Sequence, residues 1–174
     1  DKDNDRFLRD IADKVVDKQI EECWNNTISK FDKGKSGCAC RWSSIYNANA
    51  IRTKLRSIGW DKKRKLDRCN KNIIITMAIT EHNRWNVEQL LMGFTPMKSA
   101  DDEQFRQLVD ENNKEKINKK KSELKESSAK VHPNICDFEH LNMVDPGAKK
   151  YDYALNVAIP DILIRVDGYE QFVR

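Results

Sequence analysis

Apolar residues in this chain recur mostly at steps of three and four, the period of helices that bury one stripe. Phe7, Leu8, Ile11, Val15 and Ile20 follow it, so residues 5–22 are predicted as an amphipathic helix running past Trp24 toward Ile28. Gly and Ser between Phe31 and Gly37 mark a loop. Ser43 or Ser44 is expected to cap a second helix that carries Ile45, Ala48, Ile51, Leu55 and Ile58 on its apolar side and stops at Gly59. A third helix is predicted from about Asn72 to Met92, ended by Gly93. Residues 95–131 show a helical pattern through Phe105, Leu108 and Val109, then a run from Lys114 to Lys130 with seven lysines and three glutamates. That run reads as a solvated, fraying helix. A last helical region covers about Lys149 to Val166, restarted at Pro160 because proline suits a first helical turn, and ended by Gly168. The expected fold is mainly α. Strand is limited to short pieces near Gly93–Phe94 and Tyr169–Val173, and no internal repeat is visible.

Composition supports this reading. Four prolines and six glycines in 174 residues leave few tight turns, which disfavours a sandwich or barrel. With 39% hydrophobic and 34% charged residues, the chain suits one domain with an elaborated flank. No apolar run approaches the roughly 20 residues that span a bilayer. The sequence opens at Asp1 without an initiator Met or a signal-peptide pattern, and is read as a fragment of a longer protein or a processed form.

Cys23, Cys38, Cys40, Cys69 and Cys136 are odd in number and irregular in spacing, so free thiols in a reducing cytoplasm are expected. A zinc site using Cys38 and Cys40 with Cys69, Cys136 or His132 is disfavoured, because Cys-x-Cys is not the usual ligand spacing and no second pair exists. Net charge is +4, and the basic stretches 62–71 and 114–130 carry no interleaved aromatics. Nucleic-acid binding therefore ranks last among the functions considered.

Two clusters carry candidate chemistry. The first is Ala78-Ile79-Thr80-Glu81-His82-Asn83-Arg84-Trp85, followed by Gly93-Phe94. At about 100° per residue, Glu81 and Trp85 share a stripe and His82 flanks it. A carboxylate in the middle of an apolar stripe needs a partner. Glu81 is thus either half of an internal ion pair, with Arg84 or an arginine elsewhere, or part of a binding pocket. Trp85 is either core or a π platform, and His82 either orients its surroundings or donates to a ligand oxygen. The second cluster runs from His132-Pro133-Asn134-Ile135-Cys136 through Phe138 and Leu141 to Tyr151-Asp152-Tyr153 and Ala158-Ile159-Pro160-Asp161-Ile162-Leu163. Pro133 forces His132 into an extended conformation, for a turn or for the wall of a site. Glycine-rich phosphate loops, His-Glu-x-x-His, Gly-x-Ser-x-Gly and Cys-x-x-Cys are all missing from the sequence.

Together the clusters resemble the ryanodine receptor (RyR) repeat domain in its single-copy bacterial form. They follow its pattern of His-x-x-Trp, Gly-aromatic, His-Pro, and Ile/Leu-Pro-x-Ile/Leu-Leu. The resemblance covers about residues 72–172. It implies a domain at 72–174 with a lysine-rich insertion at about 97–130 that projects from it, preceded by a helical flanking segment at 1–71. In that segment, Arg41-Trp42-Ser43-Ser44-Ile45-Tyr46-Asn47-Ala48-Asn49 looks like a helical connector.

The resemblance further implies a non-enzymatic, regulatory ligand-sensing module without a cofactor. Its ligand would be an adenine nucleotide or a nucleotide-derived signal, with Trp85 stacking on the base and His82, Glu81 and His132 around it. His132 would approach Trp85, and a lysine such as Lys71 would reach the phosphates. The implied partners are a Rossmann-type or membrane-channel domain in the parent protein, or a second copy of the chain. The alternative is a protein-docking or self-association module with no small-molecule ligand.

Overall fold

The structure is a computed structural model that describes residues 35–60, 66, 70–111, 113–145 and 147–167. The helix expected at 5–22, the strand piece near Tyr169–Val173 and the helix stop at Gly168 lie outside these residues. So do most of the loop at 31–37 and most of the basic stretch 62–71. The described chain is mainly helical. Its helices are α1 (Lys35–Asn49), α2 (Ile51–Ser57), α3 (Lys71–Leu91), α4 (Ser99–Asp110), α5 (Lys114–Glu126), α6 (Leu141–Val144), α7 (Lys149–Val157) and α8 (Ile159–Asp167). An isolated parallel bridge joins Thr95 to Val131.

Local chemistry sets several boundaries. The Asn70 side chain accepts hydrogen bonds from the backbone N–H groups of Asn72 (3.1 Å) and Ile73 (3.3 Å), capping α3. Asn113 does the same for α5 by accepting from Lys116 N–H. Helices α2 and α3 end alike. Gly59 and Gly93 sit at φ +66° and +85°, and the following aromatic reaches back to close the turn. Trp60 N–H bonds to Leu55 C=O, and Phe94 N–H to Gln89 C=O. Both glycine stops were readable in the sequence. Pro160 sits in the first turn of α8, as expected. The start of α1 differs from expectation: it begins at Lys35, so Ser43 and Ser44 lie inside a helix rather than capping one. The turn preference of one Gly and one Ser amounts to about 1 kcal/mol, too little to stop a continuing hydrogen-bond ladder.

The chain divides into two compact units. In the first are the described residues up to Glu81 and those from Asp152 onward. Its core joins Leu55, Leu66, Ile74, Met77, Val157, Ile159 and Leu163, with Ile51, Ile58, Trp60 and Tyr153 packed against them. The second unit comprises His82–Tyr151. Its core is Phe105, Ile117, Leu141, Val144 and Ala148, flanked by Leu108, Val109, Leu124 and Cys136. The expected break at 71/72 falls at the start of α3, whereas the two compact units change over at Glu81/His82, within that helix.

The lysine-rich segment 97–130 is likewise not a projection. Phe105 is fully buried, Ile117 is 6% exposed, and α4 packs on both α5 and α6. The lysines mislead because they average the segment toward polar. A helix needs only one apolar stripe, and lysine stems lie along apolar surface while their heads stay wet. The heads find carboxylates nearby: Lys116 with Glu111, Lys120 with Asp101, and Lys121 with Asp145. Among the described residues, no helix is long and apolar enough to cross a membrane.

Candidate functional site

In the second unit the part of the first cluster from His82 onward meets the start of the second, His132–Phe138. The bridge between Thr95 and Val131 brings the segment after Gly93–Phe94 beside the strand leading into His132. Thr95 N–H bonds to Lys130 C=O at 3.0 Å, and His132 N–H to Thr95 C=O at 2.9 Å. Lys130 takes φ +46° at this corner, a conformation uncommon for a residue with a Cβ. From there, α3 and the His132–Phe138 segment clasp each other. His82 Nε2–H donates to Cys136 C=O at 2.9 Å, and Asn86 Nδ2 donates to the same oxygen at 2.8 Å. These donors are four residues apart on α3, so one helical face delivers both.

Aromatic rings fill the rest of the junction. His82 stacks on Trp85 (centroids 5.9 Å apart) and meets Phe138 edge-on at 5.8 Å. His132 lies edge-on to Trp85 at 4.9 Å and to Phe94 at 5.5 Å. Such pairs add about 0.5–1.5 kcal/mol each beyond their buried area.

Of the four residues singled out in the sequence, three come together. His82 is buried with its Nε2–H given to a backbone carbonyl, so that nitrogen is not offered to a phosphate. His132 is also buried, and its Nδ1 accepts the Asn134 N–H at 3.3 Å. Burial, then the charges of Lys125 and Lys121, hold the His132 pKa down at about 3. Its imidazole is therefore neutral with the remaining proton on Nε2, and it cannot serve as a cation. Trp85 is half-buried, neither sealed in a core nor freely exposed.

The fourth residue, Glu81, belongs to the first unit. Its Oε2 meets Lys54 Nζ at 2.7 Å, and its Oε1 accepts from Asn47 Nδ2 at 2.9 Å. Asn47 Oδ1 in turn accepts from Lys54 Nζ at 2.8 Å. Lys54 is 0% exposed and Glu81 2%. The carboxylate on the apolar stripe is thus half of an internal ion pair, with Lys54 in place of the expected arginine. Arg84 pairs instead with Glu88, one turn along. Glu81 is no longer part of the wall of a pocket, because a buried charge pair with shared hydrogen bonds has no capacity to spare for a ligand.

A second constellation went unseen in the sequence. A cavity of about 180 Å³ is lined by Met97, Lys98 and Asp102 from the start of α4 and by Pro133, Ile135, Cys136 and His140. His140 Nε2 meets Asp102 Oδ1 at 2.6 Å, and Asp102 Oδ2 accepts from Arg106 at 3.2 Å. Cysteine, histidine and aspartate in one cavity suggest a thiol nucleophile with its base and orienting acid. The thiol contradicts that reading. Burial, then the charges of Asp137 and Asp102, push the Cys136 pKa up to about 12, so it stays protonated, and its hydrogen goes to Asn134 C=O at 3.7 Å. No group of three His, Cys, Asp or Glu side chains among the described residues is placed to hold a metal ion. Asp102 and His140 stand 38 residues apart, and no spacing rule joins them. Asn86 was within reach of one: it lies a helical turn beyond His82.

No family model, curated protein or solved structure matches this chain. The resemblance to the RyR repeat rests on the motif residues alone.

Proposed function

We propose that this chain is a non-enzymatic RyR-type module that binds an adenine nucleotide or a nucleotide-derived signal on the Trp85 side of the second unit. The supporting observation is a half-buried indole beside a positive field that Asp145 offsets only in part. The pKa of His132, 4.9 Å from Trp85, is lowered most, after burial, by Lys125 and then by Lys121. Lys121 has Asp145 as counterion. Lys125 is exposed as a residue, yet desolvation of its ammonium and the neighbouring Lys121 charge lower its pKa. A phosphate there would relieve both, while the purine stacked on Trp85 for about 1–3 kcal/mol. Phosphate contact thus passes from His82 and His132 to Lys125. The two histidines fix the indole from one face and one edge, and Glu81 takes no part.

Isothermal titration with ATP, AMP, cyclic dinucleotides and NAD-derived nucleotides tests this reading. Binding is expected to be lost in Trp85→Ala and weakened about tenfold in Lys125→Ala, one charge-assisted hydrogen bond being worth that much. Silence from every nucleotide at millimolar concentration refutes it. Self-association is the second reading, favoured by Val87, Leu90, Leu91 and Met92, which expose 55, 47, 83 and 41% of their surface at the end of α3. Concentration-dependent mass without nucleotide binding supports that alternative.

A further inference from the structure

The cavity between the start of α4 and the Pro133–His140 segment is independent of the Trp85 cluster, since none of the rings of that cluster lines it. Its size of about 180 Å³ exceeds the roughly 150 Å³ that suffices for a benzene-sized guest. Its walls divide by chemistry. Met97, Pro133 and Ile135 present apolar surface, while Lys98, His140, Asp102 and Cys136 present polar atoms.

The state of each polar group narrows the ligand. Both Asp102 oxygens are engaged, one by His140 and one by Arg106, so this carboxylate is internally compensated. The Cys136 thiol is protonated and cannot bind a soft metal as thiolate. Lys98 is exposed and has no ion-pair partner among the described residues. It is therefore the cationic donor at this cavity with no acid assigned to it. In a neutral His140 the Nε2–H given to Asp102 leaves Nδ1 as an acceptor, so the donor for an anionic head is Lys98. A ligand suited to these walls is small, with a short apolar body and one anionic oxygen head.

We infer that the cavity lined by Met97, Lys98, Pro133, Ile135, Cys136 and His140 is a binding site for a small organic carboxylate of about four to nine heavy atoms, whose head meets Lys98 and whose body lies against Met97, Pro133 and Ile135. The site differs in place and in ligand from the nucleotide-binding surface proposed above, and either stands if the other fails.

The test is a titration of the whole chain with butyrate and with benzoate, followed by amide ¹H–¹⁵N shifts. Saturable shifts are expected at Lys98–Asp102 and Asn134–His140. Lys98→Ala, an exposed position whose substitution leaves the core intact, should raise Kd about tenfold, the worth of one charge-assisted contact. Ile135→Trp should block binding by filling the cavity. Trp85→Phe should leave it unchanged, which separates this site from the nucleotide surface. Isosteric butanol and benzyl alcohol should bind at least about tenfold more weakly, since they lack the charge. Should Ile135→Trp unfold the second unit, Lys98→Ala and the alcohols still decide the matter. The inference is overturned if the carboxylates produce no saturable shifts. Shifts confined to other residues, equal affinity for the alcohols, or a Kd unaffected by Lys98→Ala would overturn it as well.

Discussion

Replacing Phe105 by alanine distinguishes a structural second unit from an ornamental insertion. Phe105 lies on α4 with none of its surface exposed, among Ile117 of α5 and Leu141 and Val144 around α6. Truncating a fully buried phenylalanine removes its transfer free energy and leaves a void that neighbouring helices close only in part. The loss is about 3–5 kcal/mol. A domain of this size holds about 5–15 kcal/mol in all, so the variant keeps a marginal second unit or none. With a urea slope of about 1–3 kcal/mol per molar, the midpoint falls by at least about 1 M. The assay is urea denaturation followed by far-ultraviolet circular dichroism and by the amide spectrum of His82–Tyr151. Leu91→Ala is the control in the same assay, because Leu91 is 83% exposed and its truncation should stay within about 0.5 kcal/mol. A Phe105→Ala curve that superimposes on the Leu91→Ala curve would refute the reasoning, and the lysine-rich segment would again be a dispensable projection.

Two further outcomes follow from buried charge. Lys54→Met should destabilise by about 3–5 kcal/mol because it strands the Glu81 carboxylate, whereas the double variant Lys54→Met/Glu81→Leu should recover most of that loss, as thermal denaturation would report. His132 is held neutral down to about pH 3 in the folded chain, while the unfolded chain binds its proton near 6.5. Its contribution is therefore complete above about pH 6.5 and falls by up to about 1.4 kcal/mol per pH unit as the solution is acidified toward 3. Denaturation at stepped pH should show this slope, and His132→Phe should flatten it. An unchanged slope in that variant would show that another group supplies it.

Sequence periodicity located most of the described helices because one stripe per helix carries the burial. It also located two helix ends, because a glycine at positive φ followed by an aromatic is a local signal: Gly59 with Trp60, and Gly93 with Phe94. Non-local facts escaped it. Whether Phe105 and Ile117 face a core depends on Leu141 and Val144 arriving from elsewhere in the chain, and no property of residues 97–130 announces that arrival. The segment's eight lysines weigh on its average composition but not on its apolar stripe. Averaging therefore pointed to solvent, although the spacing of Phe105, Leu108 and Val109 left a stripe that a partner from elsewhere could cover.

The same division separates what was legible in the site from what was not. That His82 and Trp85 would meet the His132 segment followed from the motif pair, and the rings do meet. What each residue does there depends on partners the motif does not contain. Glu81 is spoken for by a lysine 27 positions earlier. His82 shares its carbonyl with Asn86. His132 has lost its charge to burial beside two lysines of the segment read as solvated. A polar side chain is available to a ligand only after its internal partners have been counted. By that count Glu81, His82 and His132 are engaged internally, and the cations the motif passed over, Lys125 acting on His132 and Lys98 at the cavity, are the groups the proposals above turn to.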